Sequence, residues 1–378
     1  MKAKVLKRVI AILFVITSPS VYAYAAEPLP ISKAIKIKWN IKYFIGLFSN
    51  FEQKNSEEEE EISNLVKIEE DYNKSSDNRK AMIRLLKTMK VKRAFRNKRY
   101  SERLFNDLAH ISAKLKLYPL AMQYYSQSMQ PESDAGNTSP VNLEFDSTMD
   151  VTGLINMLLK EDSANNNSSK INNRSNSNVE SNPVTANEII QSFEDGKSAS
   201  GYALILHTKQ PKPGKRKAFS GIDNVGHMFI TLIKYNSDKS FISRSFGFYP
   251  NKNNFFAATP LHPAALPVFK DDALHDWDEA IGKFISHRRF IKVIKVLTKY
   301  EFKMYNLSQN NCTDFGLTMA SLSGINILET TGKWPFGKGN NPANAGQSIL
   351  EGRIMDEDAG NKNGLFILNG INPLPLNP

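Results

Sequence analysis

The sequence predicts an α+β protein: a mostly helical N-terminal region, then a C-terminal domain built on a small antiparallel sheet. Three observations carry this expectation. Apolar residues between 26 and 130 recur largely at helical spacing. Three β-rich runs follow one another with turn signals between them: 201–207 (GYALILH), 226–235 (GHMFITLIKY) and 240–250 (SFISRSFGFYP). Helical runs come after these strands rather than alternating with them, which favours segregated strands and helices over a parallel sheet.

With 378 residues the chain is long enough for two domains. It opens on an export pattern. Lys2, Lys4, Lys7 and Arg8 precede an apolar core at 9–16 (VIAILFVI), too short for a stable membrane span, and Ala23-Tyr24-Ala25 is an A-x-A cleavage site. Residues 1–25 are therefore expected to be a signal peptide. The protein is expected to be exported, periplasmic or secreted, with no membrane span in the mature chain. Residues 26–130 form the helical region. The stretch 78–103 carries Met82, Leu85, Leu86, Met89 and Phe95 as one apolar stripe under a basic outer face, and 104–129 breaks near Tyr118-Pro119 into two short helices. The region reads as a helical adaptor that packs on another body, with the cell wall or another protein as its partner. Residues 131–182 are rich in Asn and Ser and nearly devoid of apolar residues, so they are expected to be a disordered linker. The domain at 183–355 and a tail at 356–378 complete the chain.

Within that domain, 185–193 (TANEIIQSF) predicts a short helix and 201–207 a buried strand. A turn at 236–239 joins the next two strands into a hairpin. Residues 251–278 read as a loop, 281–285 as a strand, and Ser286 caps a helix marked by Phe290, Val293, Ile294 and Leu297.

The stretch 308–324 (SQNNCTDFGLTMASLSG) holds Cys312, the only cysteine. Phe315, Met319 and Leu322 fall on one helical face, Ser308, Asn310 and Asn311 are capping residue types, and Gly324 is a stop. Cys312 thus belongs at a helix N-terminus, where unsatisfied amides favour a thiolate. Asp314 in the same turn opposes this, so a neighbouring base is required, and histidine is the usual one. A single cysteine in an exported chain forms no internal disulfide, and the thiol is either buried and inert or used.

Of the six histidines, His110 lies in the helical region, His207 ends a strand and fits a surface role, and His287 beside Arg288 and Arg289 reads as solvated. His262 and His275 lie in the loop at 251–278, where catalytic histidines also occur. His227 opens a strongly β-patterned strand directly after Gly226, and a strand can aim its ring rigidly at a helix start. It ranks first as the base, ahead of His275 and His262.

The order GHMF, FGFYP, NNCTDF and a later NPA resembles the circularly permuted papain-like domains, relatives of NlpC-type cell-wall peptidases and of lecithin–retinol acyltransferase. The resemblance covers about 201–346. It implies a permuted papain-like fold with Cys312 as the nucleophile and His227 as the base. The third polar group is open: Ser245 and Tyr249, at the end of the returning strand, can each hydrogen-bond an imidazole. The oxyanion is expected at the helix-start amides around Asn311 and Thr313.

The resulting expectation is an exported cysteine hydrolase, or an acyltransferase of the same chemistry, acting on an amide or ester bond such as a peptidoglycan peptide. The alternative is a non-enzymatic interaction protein that uses a papain-like domain for binding. No cofactor is implied. No His-x-x-x-His or Cys-x-x-Cys spacing points to a metal and no Walker-type phosphate loop occurs. A formal net charge of +11 suits an anionic partner, a membrane surface or wall polymer, though a Lys- and Asn-rich codon bias gives the same excess. No recognised nucleic-acid motif accompanies it.

Overall fold

A computed structural model describes residues 98–129, 181–219, 225–251, 258–334 and 336–369. The expected signal peptide, the helical stretches before residue 98 and nearly all of the expected linker lie outside the described residues. The described elements begin with helices α1 (Lys98–Lys114) and α2 (Tyr118–Ser128). The break between them falls at Tyr118-Pro119 as the sequence predicts, because Pro119 sits in the first turn of α2, where its missing N–H is not needed.

The strand-forming runs build a seven-stranded antiparallel sheet, larger than the small sheet expected. Its strands are β1 (Pro183–Val184), β2 (Ala199–Lys209), β3 (His227–Asn236), β4 (Phe241–Pro250), β6 (Pro267–Asp271), β7 (Glu279–Ile285) and β13 (Phe366–Asn369). Their spatial order is β1-β6-β4-β3-β2-β7-β13. Short strands pair outside it: β5 (Ala264–Ala265) with β8 (Tyr305–Asn306), β9 (Ile325–Ile327) with β12 (Ile354–Asp356), and β10 (Thr331–Trp334) with β11 (Gly337–Asn340). Strands β5 and β6 fall inside 251–278, which had read as a loop, because they are short and proline-punctuated. Strand β13 lies in the stretch expected as a tail, so the sheet runs past residue 355.

Helices cover both faces of the sheet. On one face lie α3 (Ala186–Ser192), α4 (His287–Tyr300), α5 (Cys312–Leu322) and α6 (Pro342–Leu350). There Leu204, Leu206, Met228, Ile230, Phe246 and Phe248 pack with Phe315, Met319, Val293 and Leu297. On the other, Ala203, Ile205, Ile233, Tyr235 and Phe366 meet Leu108, Ile111, Leu120 and Met122 of α1 and α2. The body on which this helical pair packs is therefore the sheet of its own chain. This double cover explains why β3 is buried at every one of its ten positions, although its sequence alternates.

It also corrects the expectation for His207. Its side chain points to the α2 face and is fully buried among the rings of Tyr118, Phe229 and Trp277. A surface role for His207 assumed an uncovered sheet face. No helix among the described residues is long and apolar enough to cross a membrane.

Candidate active site

Helix α5 begins as its sequence dictates. Asn311 is the N-cap: its Oδ1 accepts from the amides of Thr313 (2.7 Å) and Asp314 (3.1 Å). Asp314 returns the bond, its Oδ2 accepting the Asn311 amide at 2.9 Å, and its Oδ1 accepts from Asn340 Nδ2 at 2.7 Å. The carboxylate that threatened a thiolate is thus turned into the cap. Cys312 occupies the first helical position, 7% exposed.

Strand β3 delivers His227 to the same point. Gly226 before it takes φ +72°, a left-handed conformation that glycine adopts without penalty, and a Cβ there would press on the Lys209 carbonyl. The His227 imidazole lies beside the Cys312 thiol, close enough for the two to interact by hydrogen bonding and charge, and the Met228 amide also faces the sulfur. The sequence-predicted pair is therefore brought together.

The orienting group is one that sequence reasoning missed. Asp272, just beyond β6 and fully buried, places Oδ2 at 3.1 Å from His227 Nε2. Its other oxygen accepts from the Tyr249 hydroxyl (2.7 Å) and from Ser181 Oγ (3.0 Å). Its backbone amide donates to the Ser245 carbonyl at 2.9 Å, which fixes the carboxylate against β4.

Gly247 makes room for this arrangement. A Cβ on it would fall 2.5 Å from His227 Nε2 and closer still to Asp272 Oδ2. The only signals available in the sequence were a short alternating run, PVFKD, and the acidic pair Asp271-Asp272 inside an apparent loop.

The two residues proposed for that orienting position serve differently. Ser245 sits opposite Thr231 in the β3–β4 register, too far along the strand to reach His227. Its hydroxyl pairs with Thr231 Oγ1 (2.8 Å), which in turn contacts His207 Nε2 (2.8 Å). Tyr249 stacks its ring on the imidazole, with centroids 4.2 Å apart, and gives its hydroxyl to Asp272 instead. Neither hydrogen-bonds His227.

The helix-start amides also divide. Those of Asn311, Thr313 and Asp314 are consumed by the capping box, so Asn311 and Thr313 do not present theirs to a substrate. The Cys312 amide faces the buried hydroxyl of Tyr305 in β8, which also touches the thiol.

Electrostatics follow from these contacts. Burial opposes a charge on His227, but the Asp272 carboxylate and the Cys312 sulfur outweigh it and push the imidazole up to about 9. Burial would raise the Cys312 thiol. The hydrogen bonding and charge of His227, helped by the Met228 amide, overcome it and lower the thiol. Both directions favour the charged forms, a thiolate beside an imidazolium.

His275 lies on the outer side of His227, ring centroids 5.1 Å apart, with Nδ1 on the Asp276 carbonyl at 2.8 Å. Burial and the His227 charge lower its pKa, which favours its neutral form beside the pair. His262 is exposed and His287 stacks on Tyr202, both outside the site. Among the described residues no cluster of His, Cys, Asp and Glu could hold a metal ion.

Comparison of the chain with protein-family models, with curated proteins and with solved structures gives no match.

Proposed function

We propose that the protein is a thiol hydrolase of amide or ester bonds, with Cys312 as nucleophile, His227 as acid and base, and Asp272 as the residue that positions His227. The observation that carries this reading is the His227 imidazole held between the Cys312 thiol and the Asp272 carboxylate, at the N-terminus of a helix. The permuted papain-like resemblance adds support, since it assigns the same cysteine and histidine.

In this reading the Cys312 thiolate attacks the substrate carbonyl carbon and the carbonyl electron pair moves onto oxygen. The Cys312 amide and the Tyr305 hydroxyl, which lie together beside the sulfur, are the donors this reading assigns to that oxyanion. The His227 imidazolium gives its proton to the departing amine or alkoxide as the bond breaks, leaving an acyl-thioester. A water molecule, deprotonated by the now neutral His227, attacks the thioester. The carboxylic acid departs, and thiolate and imidazolium are restored. Asp272 keeps its charge throughout and holds Nε2, so that Nδ1 is the nitrogen left for the sulfur.

The same proposal takes residues 1–25 as an export signal and puts the chemistry outside the cytoplasm, with a cell-wall peptide as one substrate class. Incubation with activated esters and wall-derived peptides, followed by intact mass spectrometry, tests it. The expected result is an acyl adduct on Cys312 that decays to free enzyme and is absent in Cys312→Ala. Turnover that survives Cys312→Ala refutes it.

A further inference from the structure

Two elements beside the site share an unusual composition. The loop at 210–219 (QPKPGKRKAF) and the hairpin of β10 (Thr331–Trp334) and β11 (Gly337–Asn340) contain six basic residues and no acidic one. Arg216 is used internally, bonding Glu351 and the carbonyls of Glu329 and Asn344. Lys212, Lys215, Lys217, Lys333 and Lys338 are exposed, with no ion-pair partner among the described residues.

Lys333 and Lys338 stand directly opposite each other across the hairpin, an arrangement that destabilises a strand pair through like-charge repulsion. Phe336 at the tip is 82% exposed and holds φ +66°, a left-handed conformation that a bulky residue rarely adopts. Folding gains nothing from either feature. A partner that neutralises the lysines and buries the ring compensates both.

The two elements form one surface. The Phe219 and Trp334 rings meet edge to face at 6.1 Å, and Arg216 ties the loop to the segment ahead of β10 and to α6. That surface is fixed to the cysteine helix, since Asn311 Nδ2 donates to the Asn340 carbonyl at 2.8 Å.

We propose that this surface docks on an anionic lipid bilayer, with Phe336 entering the interface and the five lysines meeting the headgroups. A soluble polyanion would engage the lysines alone. An exposed aromatic ring set among lysines is the amphipathic combination that an interface rewards. Docking would hold the Cys312 end of the domain against the membrane. The binding stands apart from the hydrolase reading and is measured on a chain without the thiol.

The full chain carrying Cys312→Ser and Phe336→Cys is labelled at residue 336 with a polarity-sensitive fluorophore. It is then mixed with phosphatidylcholine vesicles with and without phosphatidylglycerol. Reading the label separates this surface from any other membrane-active part of the chain. The emission is expected to shift to the blue with anionic vesicles only, and the shift to weaken with salt. Adding Lys333→Gln and Lys338→Gln should weaken the response about 25-fold, at about fivefold per lysine. In the otherwise unmodified chain, Phe336→Ser should reduce sedimentation with anionic vesicles. A label that stays in water beside anionic vesicles overturns the proposal. So does an equal shift with soluble polyglutamate, which would assign the surface to polyanions instead.

Discussion

Replacing Asp272 by Asn keeps the size of the side chain and removes the charge that holds His227 protonated. His227 stands at about 9 against an ordinary value of 6.5, although burial alone would take it below 6.5. The carboxylate and the sulfur together therefore supply at least the difference, which at 1.36 kcal/mol per unit is on the order of 3 kcal/mol. With the carboxylate gone, burial is opposed by the sulfur alone, and His227 should fall well below 9. Its charged fraction at about pH 7.5 should drop accordingly.

The sign for stability follows. A histidine raised in the folded state contributes stability that is fully present below 6.5 and is lost as pH rises through about 9. Asp272→Asn should flatten that part of the pH–stability curve. The assay is NMR titration of selectively labelled histidines, with the His227 signal assigned from a His227→Gln variant. An Asp272→Asn protein whose His227 still titrates near 9 would refute the reasoning.

Three further outcomes are expected. Gly247→Ala forces a methyl group between His227 and Asp272, and should lower thermal stability by about 1–3 kcal/mol and separate the pair; unchanged melting and unchanged His227 titration would contradict this. Tyr305→Phe removes the hydroxyl at the Cys312 amide, and should lower kcat roughly 10- to 100-fold with little change in KM once a substrate is in hand; a pure KM effect would remove Tyr305 from the oxyanion site. Glu279 is fully buried, both carboxylate oxygens lack a hydrogen-bond partner among the described residues, and burial, reinforced by Asp278, pushes it up to about 8. An acid raised on folding costs stability progressively as pH climbs from about 4.5 to 8, so Glu279→Gln should be more stable at pH 8.5 by about 3–5 kcal/mol and near neutral at pH 4.5. Parallel stability curves for the two proteins would contradict that burial cost.

The parts of this fold legible in the sequence are those that local chemistry decides. Helix α5 announces itself through Asn311, Asp314 and Gly324, and the β3–β4 hairpin through its alternation and the turn at 236–239. Cys312 and His227 stand on those two elements, so the pair was legible with them. Asp272 was not, because its role depends on β6 pairing with β4 and on the absence of a side chain at Gly247, neither of which leaves a periodic signal. Ser245 and Tyr249 were placed correctly on β4, but their partners depend on register: Ser245 falls opposite Thr231, and Tyr249 reaches past His227 to the carboxylate.

His207 was misread because its burial comes from α2, more than eighty residues away in sequence, closing over a sheet face that looked exposed. Strand β13 was missed for a similar reason, since four residues near a terminus become a strand only when the β7 edge is there to receive them.

The ionisation of Cys312 tests the central claim most directly. The pH dependence of its alkylation is compared between the unmodified chain and His227→Ala. The account predicts an apparent pKa below the free-thiol value of about 8.5 that rises in His227→Ala, where burial loses its main opponent. A thiol that alkylates slowly, with the same pKa whether or not His227 is present, would contradict it and leave Cys312 a buried, inert side chain.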